Sequence, residues 1–222
     1  MNIAIIAAMD KEMRLLLPLL EAPSKITVNG VVFHTGKIGS HKAVVCKCGI
    51  GKVNAAIGAL SLIDTFHPDM VINSGIAGGT GKAGILEVVV ADSVAYHDVW
   101  CGEGTALGQA DGCPQFFECA LSEDVRARIP GTRGGLVVSG DAFITDAADV
   151  ERILKIYPDA VAVEMESAAI AHVCHLKNVP FVCIRVISDT PGCEDHLSQY
   201  ANFWEDAPEH TFAAVKALLE AI

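Results

Sequence analysis

The chain reads as an α/β protein built on a mixed sheet. Two observations predict this. Short apolar runs of strand length alternate with stretches of helix length along the whole chain, and no linker, tandem repeat or low-complexity segment interrupts them. The composition, 51% hydrophobic and 19% charged, excludes disorder and supplies a sizeable core. At 222 residues a single domain spanning residues 1–222 is expected.

The elements follow in order. Residues 2–8 are an apolar strand and residues 10–20 an amphipathic helix. Residues 28–35 and 42–48 are strands, with Gly36 and Gly39 punctuating the stretch between them. Residues 52–66 form a helix that His67-Pro68 stops. Strands follow at 70–73 and 87–96. Residues 98–115, rich in Gly and Cys and without a period, read as a long loop, and such loops are usually functional. A strand at 135–139, a helix at 149–156 and a strand at 160–163 come next. A helix then runs from 165 or 166 to about 176, followed by a strand at 180–187. Residues 195–222 are mostly helix, with apolar residues three to four apart from Phe203 onward.

Composition also limits partners. The formal net charge is −11 and no basic run occurs, which argues against a nucleic-acid surface. The first residues lack the cationic start of a signal peptide, and Asp10, Lys11 and Glu12 follow at once. No apolar run approaches the roughly 18–20 residues of a membrane helix. A cytoplasmic protein without membrane association is expected. The eight cysteines include no C-x-x-C pair and no two-plus-two zinc spacing, so reduced thiols in or near the core are expected. No metal and no cofactor is called for, and His172 and His175 are expected to be packing and supporting groups.

Candidate chemistry gathers at strand ends. Glu164 and Glu166 directly follow an apolar strand. Charge is costly to bury without a partner or a task, and open α/β sheets bind ligands beyond the carboxyl ends of their strands. The apolar run 179–184 repeats the layout, leading into Arg185 and then Ser188-Asp189. Two strand-end acids on neighbouring strands suggest one site, although Arg185 as a structural partner of Glu164 or Glu166 is the alternative. Glu12 lies in the first turn of a helix, where the dipole favours a carboxylate, and helix capping alone also accounts for it. The stretch Asn73-Ser74-Gly75-Ile76-Ala77-Gly78-Gly79 matches neither a Walker loop nor G-x-G-x-x-G. Its glycines permit a close backbone approach to a ligand, and a tight turn is the plainer reading. Phe143, in a turn at a strand end, can stack on a flat ring or simply join the core.

Seven segments then come together: Ile5-Ile6-Ala7-Ala8-Met9 with Glu12, Cys48-Gly49-Ile50-Gly51-Lys52-Val53, Ile72-Asn73-Ser74-Gly75 with Ala77-Gly78-Gly79, Val138-Ser139-Gly140-Asp141-Ala142-Phe143-Ile144, Ala162-Val163-Glu164-Met165-Glu166, Ala171-His172-Val173-Cys174-His175 and Arg185-Val186-Ile187-Ser188-Asp189. In order and spacing, from residue 3 to about 198, they resemble the nucleoside phosphorylase and nucleosidase superfamily, with the bacterial 5′-methylthioadenosine/S-adenosylhomocysteine nucleosidases the nearest branch. The resemblance implies a three-layer α/β/α fold with a central mixed, partly barrel-like sheet, and a homodimer. It implies an adenine nucleoside substrate and cleavage of the N-glycosidic bond through an oxocarbenium-like transition state.

By that resemblance Asp189, held by Ser188, is the general acid for adenine N7, and its pKa must be raised for the task. Glu12 orients and deprotonates the attacking water, with Arg185 nearby. Glu166 binds the ribose hydroxyls, and its negative charge favours the cationic transition state. Glu164 supports the water or ribose site and Met165 packs on the sugar. Phe143 stacks on adenine, and the backbone of Ile144 reads its Watson–Crick edge. Ala8, Met9, Ile50, Ile76, Ala77 and Gly78 complete the substrate pocket. The phosphorylase branch carries an arginine where this chain has Asn73, and no Lys or Arg lies between Val53 and Gly81. A phosphate dianion needs such a group or several backbone donors, so water is the expected nucleophile. A phosphorylase of the same fold and a non-catalytic nucleoside-binding protein are the alternatives, the second opposed by the retention of Glu12, Glu166 and Asp189. The chain departs from the nucleosidase pattern at Ile76, where a serine is usual, in the 98–111 loop, whose one aromatic residue is Trp100, and over residues 190–195. Tyr200 or Phe203 is the candidate lid. The preferred 5′-substituent is left open.

Overall fold

β1 (Asn2–Ala7) sets the pattern for the sheet. Ala4 and Ile6 enter one apolar cluster, while Ile3, Ile5 and Ala7 enter another on the opposite face. A strand covered on both sides needs this continuous apolar run. The computed structural model describes residues 1–206 and 208–222, and side chains outside 205–212.

α1 (Asp10–Leu16) is shorter than the apolar periodicity predicts. Pro18 lacks the N–H that would continue the helix, and the chain finishes in a 3-10 turn over Leu17–Leu19. β2 (Glu21–Val28) and β3 (Val31–Ile38) form a hairpin in place of one strand at 28–35. Its turn is Asn29-Gly30, with φ 51° and 79°, the left-handed pair that suits the twist of a hairpin. Gly36 lies inside β3, so it does not separate two strands. β4 (His41–Lys47) and α2 (Lys52–Phe66) fall where expected.

β5 (Met70–Gly79) runs on through the glycine-rich stretch expected to be a ligand loop or tight turn. The long strand expected at 87–96 is two, β6 (Val88–Val90) and β7 (Ser93–Tyr96). The loop expected at 98–115 carries no helix or strand. β8 (Phe117–Glu118), α3 (Glu123–Arg126) and β9 (Thr132–Arg133) are too short for periodicity to reveal. β10 (Leu136–Ser139), α4 (Ala147–Ile156), β11 (Ala160–Glu164), α5 (Ser167–Lys177) and β12 (Phe181–Asp189) match their predicted places. α6 (His196–Asp206) and α7 (Pro208–Ala221) occupy the C-terminal helical stretch.

Twelve strands form one mixed sheet that forks at β5. The first half of β5 pairs with β1, most of its length runs parallel to β12, and Gly78 and Gly79 pair with β11. One arm continues β12–β6–β9 and the other β11–β10–β7–β8. Ala91-Asp92 carries the chain from β6 to β7 and ties both arms. The Ala91 N–H donates to Cys183 O at 2.9 Å and the Asp92 N–H to Gly135 O at 3.0 Å. The sheet therefore curls into the mixed, partly barrel-like form.

α2 and α5 pack on one another over one face of the sheet, and α1 and α7 cover the other. α4 sets Val150 and Ile153 on a third cluster around Val138 and Val163. Its N-cap, Asp146, accepts the Ala148 N–H at 2.8 Å, a cap that stabilises by about 1 kcal/mol. Of the cysteines, Cys46, Cys113, Cys174 and Cys183 are buried and Cys48 and Cys119 half-buried; Cys101 and Cys193 are exposed, outside the core where thiols were expected. His172 is a packing group as expected, stacked on Phe117 and hydrogen-bonded to Tyr96 Oη and Cys113 Sγ. Among the described residues no helix is long and apolar enough to cross a membrane.

Candidate active site

The carboxyl ends of β1, β10, β11 and β12 meet β5 at one cleft, partly open to solvent. Ala8, Met9 and Glu12 come from β1 and α1, Ile50 from the turn before α2, and Ile76, Ala77 and Gly78 from β5. Phe143 and Ile144 follow β10, Glu164, Met165 and Glu166 end β11, and Ser188 and Asp189 end β12. Every site residue expected from the sequence lines this cleft except Arg185. Ala142, Val163, Pro191 and Tyr200 line it too. Of the two lid candidates Tyr200 is the one at the cleft, its ring edge-on to Phe143 at 5.5 Å. Phe203 is buried in another cluster against Trp204.

Glu12 unites the two readings made of it. Its Oε2 accepts the N–H groups of Ala8 and Met9, both at 2.9 Å, so it caps the start of its own helix. Its Oε1 accepts the Ile76 N–H at 3.2 Å, which fixes the carboxyl against β5 at the cleft wall. This approach requires Gly75, because a Cβ there would lie 2.6 Å from Glu12 Oε1. Burial pushes the Glu12 pKa up, and the nearby Arg185 charge and the three N–H donors offset this only in part.

Arg185 lies beneath the cleft. It is 2% exposed; both terminal nitrogens donate to internal partners, and Nε has none among the described residues. Nη2 donates to Glu164 Oε2 at 2.7 Å and to Asn73 Oδ1, while Nη1 donates to Ile184 O at 3.0 Å and Asn73 O at 3.3 Å. Asn73 in turn donates from Nδ2 to Ile6 O at 2.9 Å. Glu164 is equally committed. It accepts from Ser139 Oγ, from the Glu166 N–H at 3.0 Å and from the Ser167 N–H at 2.9 Å, besides Arg185. Burial alone would raise its pKa. The Arg185 charge, with hydrogen bonds from Arg185, Ser139 and Ser167, outweighs burial and holds Glu164 below the usual carboxylate range. Two expectations are thereby corrected. Arg185 does not face the cleft, and Glu164 has no carboxylate oxygen free for a water or ribose. Both build the floor.

Glu166 differs from its neighbour. Oε1 accepts the Gly51 N–H at 2.8 Å, and among the described residues Oε2 has no hydrogen-bond partner. Burial first, and then the Glu164 charge, push its pKa up to about 8. Both effects favour the protonated form of the Glu166 carboxyl.

Asp189 lines the cleft at the end of β12, 2% exposed. Ser188 Oγ donates to Oδ1 at 2.6 Å, and Oδ2 is buried without a partner among the described residues. Burial raises the pKa, against the opposing effects of Ser188 and His196. Phe143 is half-exposed at the mouth and offers a ring face, while the Ile144 side chain is anchored in the α4 cluster. Three acids with raised pKa thus line one cleft, an arrangement suited to proton transfer.

Residues 2–220 match the phosphorylase superfamily. The chain belongs to that superfamily. Among its solved members, the 5′-methylthioadenosine/S-adenosylhomocysteine nucleosidase of Streptococcus pneumoniae, in complex with 8-aminoadenine, is 35% identical with a TM-score of 0.92 over 100% of both chains. The nucleosidase of Colwellia psychrerythraea, in complex with adenine, is 33% identical with a TM-score of 0.92 over 100% of this chain and 95% of that one. A futalosine hydrolase mutant of Helicobacter pylori is 28% identical with a TM-score of 0.90 over 100% and 99% of the two chains. In this member of the phosphorylase superfamily Asn73 is a buried strut between Ile6 and Arg185, away from the cleft lining.

Proposed function

We propose that the protein hydrolyses the N-glycosidic bond of adenine nucleosides such as 5′-methylthioadenosine and S-adenosylhomocysteine, releasing adenine and a 5-substituted ribose. One observation carries this reading. The cleft is lined by Glu12, Glu166 and Asp189, and no lysine or arginine lines it among the described residues. Such a site suits a cationic transition state and a water nucleophile, and offers no side-chain cation to a phosphate dianion.

The roles follow from position. Asp189, protonated through Oδ2 and steadied by Ser188 on Oδ1, gives its proton to N7 as the bond to adenine stretches. Phe143 holds the base by stacking and the Ile144 backbone reads its edge. Glu12, at the start of α1, orients a water and takes its proton. Glu166 grips the ribose hydroxyls through Oε2. As positive charge develops on the sugar, the Glu166 carboxyl oxygen beside it stabilises the cation. Glu164 and Arg185 keep these walls in place. Met165 packs beside the sugar. Ile76 presents an apolar side chain where the nucleosidase pattern has a hydroxyl, so the water depends on Glu12 and on backbone groups.

The protein also acts as a homodimer in this reading. Val53, Ile57 and Leu60 on α2 and Leu176 on α5 are exposed apolar residues on the two helices that pack together, a face suited to a second copy. The test of activity is adenine release across 5′-methylthioadenosine, S-adenosylhomocysteine, 5′-deoxyadenosine and futalosine, with and without phosphate. Release from the adenine nucleosides without phosphate supports the reading. Release that requires phosphate and yields a ribose 1-phosphate overturns it.

A further inference from the structure

The start of α2 meets the cleft through an ion cluster that the roles above do not use. Its N-cap residue is Gly51, which has no side chain with which to cap the helix, and a helix start leaves N–H groups to satisfy. Two acids from elsewhere take them. Glu166 Oε1 accepts the Gly51 N–H at 2.8 Å, and Asp141 Oδ1 accepts the Lys52 N–H at 2.7 Å. The Lys52 ammonium then turns back to Asp98, 2.8 and 2.7 Å from its two carboxylate oxygens. Asp98 Oδ2 also accepts the Asp141 N–H at 2.8 Å. Lys52, Asp141 and Asp98 so close a ring that ties the chain just after β7 and just after β10 to the first turn of α2. The ring is sheltered, with the Lys52 and Asp98 side chains 20% and 27% exposed and the ammonium 5.5 Å from the centre of the Tyr96 ring.

We propose that Lys52, Asp98 and Asp141 are a positioning clasp that sets Glu166 and Ile50 against the sugar of the bound nucleoside, an inference that rests on the ribose role given to Glu166 above. The chain of contacts is short. The clasp fixes where α2 begins, and that fixes the Gly51 N–H. The N–H fixes one carboxyl oxygen of Glu166 and so aims the other. The same turn carries Ile50 into the cleft, its carbonyl held by Asn54 Nδ2 at 2.7 Å. Neither Lys52 nor Asp98 lines the cleft. Both act on the sugar half and leave Ser188 and Asp189, at the base half, untouched.

Two probes separate the halves: adenine, which has no sugar, and the 7-deaza analogue of 5′-methylthioadenosine, which has no N7 to protonate. Titration calorimetry of both with the wild type, Lys52→Met, Asp98→Asn and Lys52→Arg reads the clasp directly. We expect the nucleoside analogue to bind about tenfold more weakly to Lys52→Met and Asp98→Asn, since a binding group moved by a fraction of an ångström loses much of its effect. Adenine should bind within about twofold of the wild type. Lys52→Arg, which keeps the charge, should recover most of the loss. Should Lys52→Met fail to fold, the near-isosteric Asp98→Asn carries the same comparison. Equal weakening of both probes, or of neither, overturns the clasp while leaving the nucleosidase reading in place. A wild type that binds adenine but not the nucleoside analogue overturns the ribose role of Glu166 and the clasp with it.

Discussion

The floor and the walls of the cleft are built from the same residue types and behave in opposite ways. On the floor, Glu164 and Arg185 are buried against one another, both Glu164 oxygens are occupied, and Glu164 is held ionised. On the walls, Glu12, Glu166 and Asp189 are as deeply buried, yet burial outweighs their partners and their pKa values rise. Glu164 and Glu166 make the contrast sharpest, because they are two residues apart. One reaches an arginine, Ser139 and two backbone N–H groups, while the other reaches one backbone N–H. The lesson is that a buried acid paired with a cation organises structure, whereas one held only by neutral donors has its pKa raised and is available for chemistry.

The largest effect expected is on a wall. Asp189→Asn removes the proton to be donated and should lower turnover on the order of 10² to 10⁴-fold with little change in folding stability, as general acids do. Initial rates together with a denaturant melt check both parts, and unchanged turnover would remove Asp189 from the acid role. The floor should answer the other way. Arg185→Met leaves the Glu164 charge buried and unpaired and should cost about 3–5 kcal/mol of stability. Urea unfolding measures it; a loss under about 1 kcal/mol would mean that the pair does not hold the floor together.

The pH dependence divides the two regions in sign. Glu166 titrates near 8 in the folded protein against a usual value of 4.5. Between these values the folded state keeps a proton that the unfolded chain releases, so the contribution of Glu166 to stability falls as pH rises through that window. The stability difference between wild type and Glu166→Gln should shift against the wild type from about pH 5 to about pH 8 and level off above. Glu164, held low, stabilises above its usual pKa and loses that contribution as pH falls through its lowered value. A flat difference for Glu166→Gln would erase the distinction between floor and wall. The smallest effect calibrates the rest. Lys47 pairs with Asp10 at 2.8 Å, but the side chains are 43% and 76% exposed. Lys47→Ala should cost less than about 1 kcal/mol, measured as a small shift in melting temperature.

Much of this was legible in the sequence, and the misses have physical causes. The strand-end acids, the aromatic turn and the absence of a cation near Asn73 all marked the cleft before any fold was known. What the chain could not display was convergence. Ser139 and Arg185 come from two strands and meet at Glu164, with Asn73 of a third bracing Arg185, and only that meeting decides which acid of the Glu164/Glu166 pair is spent. The glycines after Asn73 suggested a loop. They stand in a strand, and at Gly75 the space of a side chain is taken by Glu12 from α1. Of the two lid candidates, local pattern could not separate Tyr200, which reaches the cleft, from Phe203, which is buried elsewhere. The β2–β3 hairpin is a different case, since its Asn29-Gly30 turn was readable and periodicity was followed instead.

The central claim is that water attacks the sugar between acid walls without help from phosphate. Cleavage of 5′-methylthioadenosine in ¹⁸O-labelled water, with inorganic phosphate present, tests it most directly. We expect adenine and a methylthioribose that carries ¹⁸O at C1, at a rate independent of phosphate. A ribose 1-phosphate product with no ¹⁸O at C1 would contradict it.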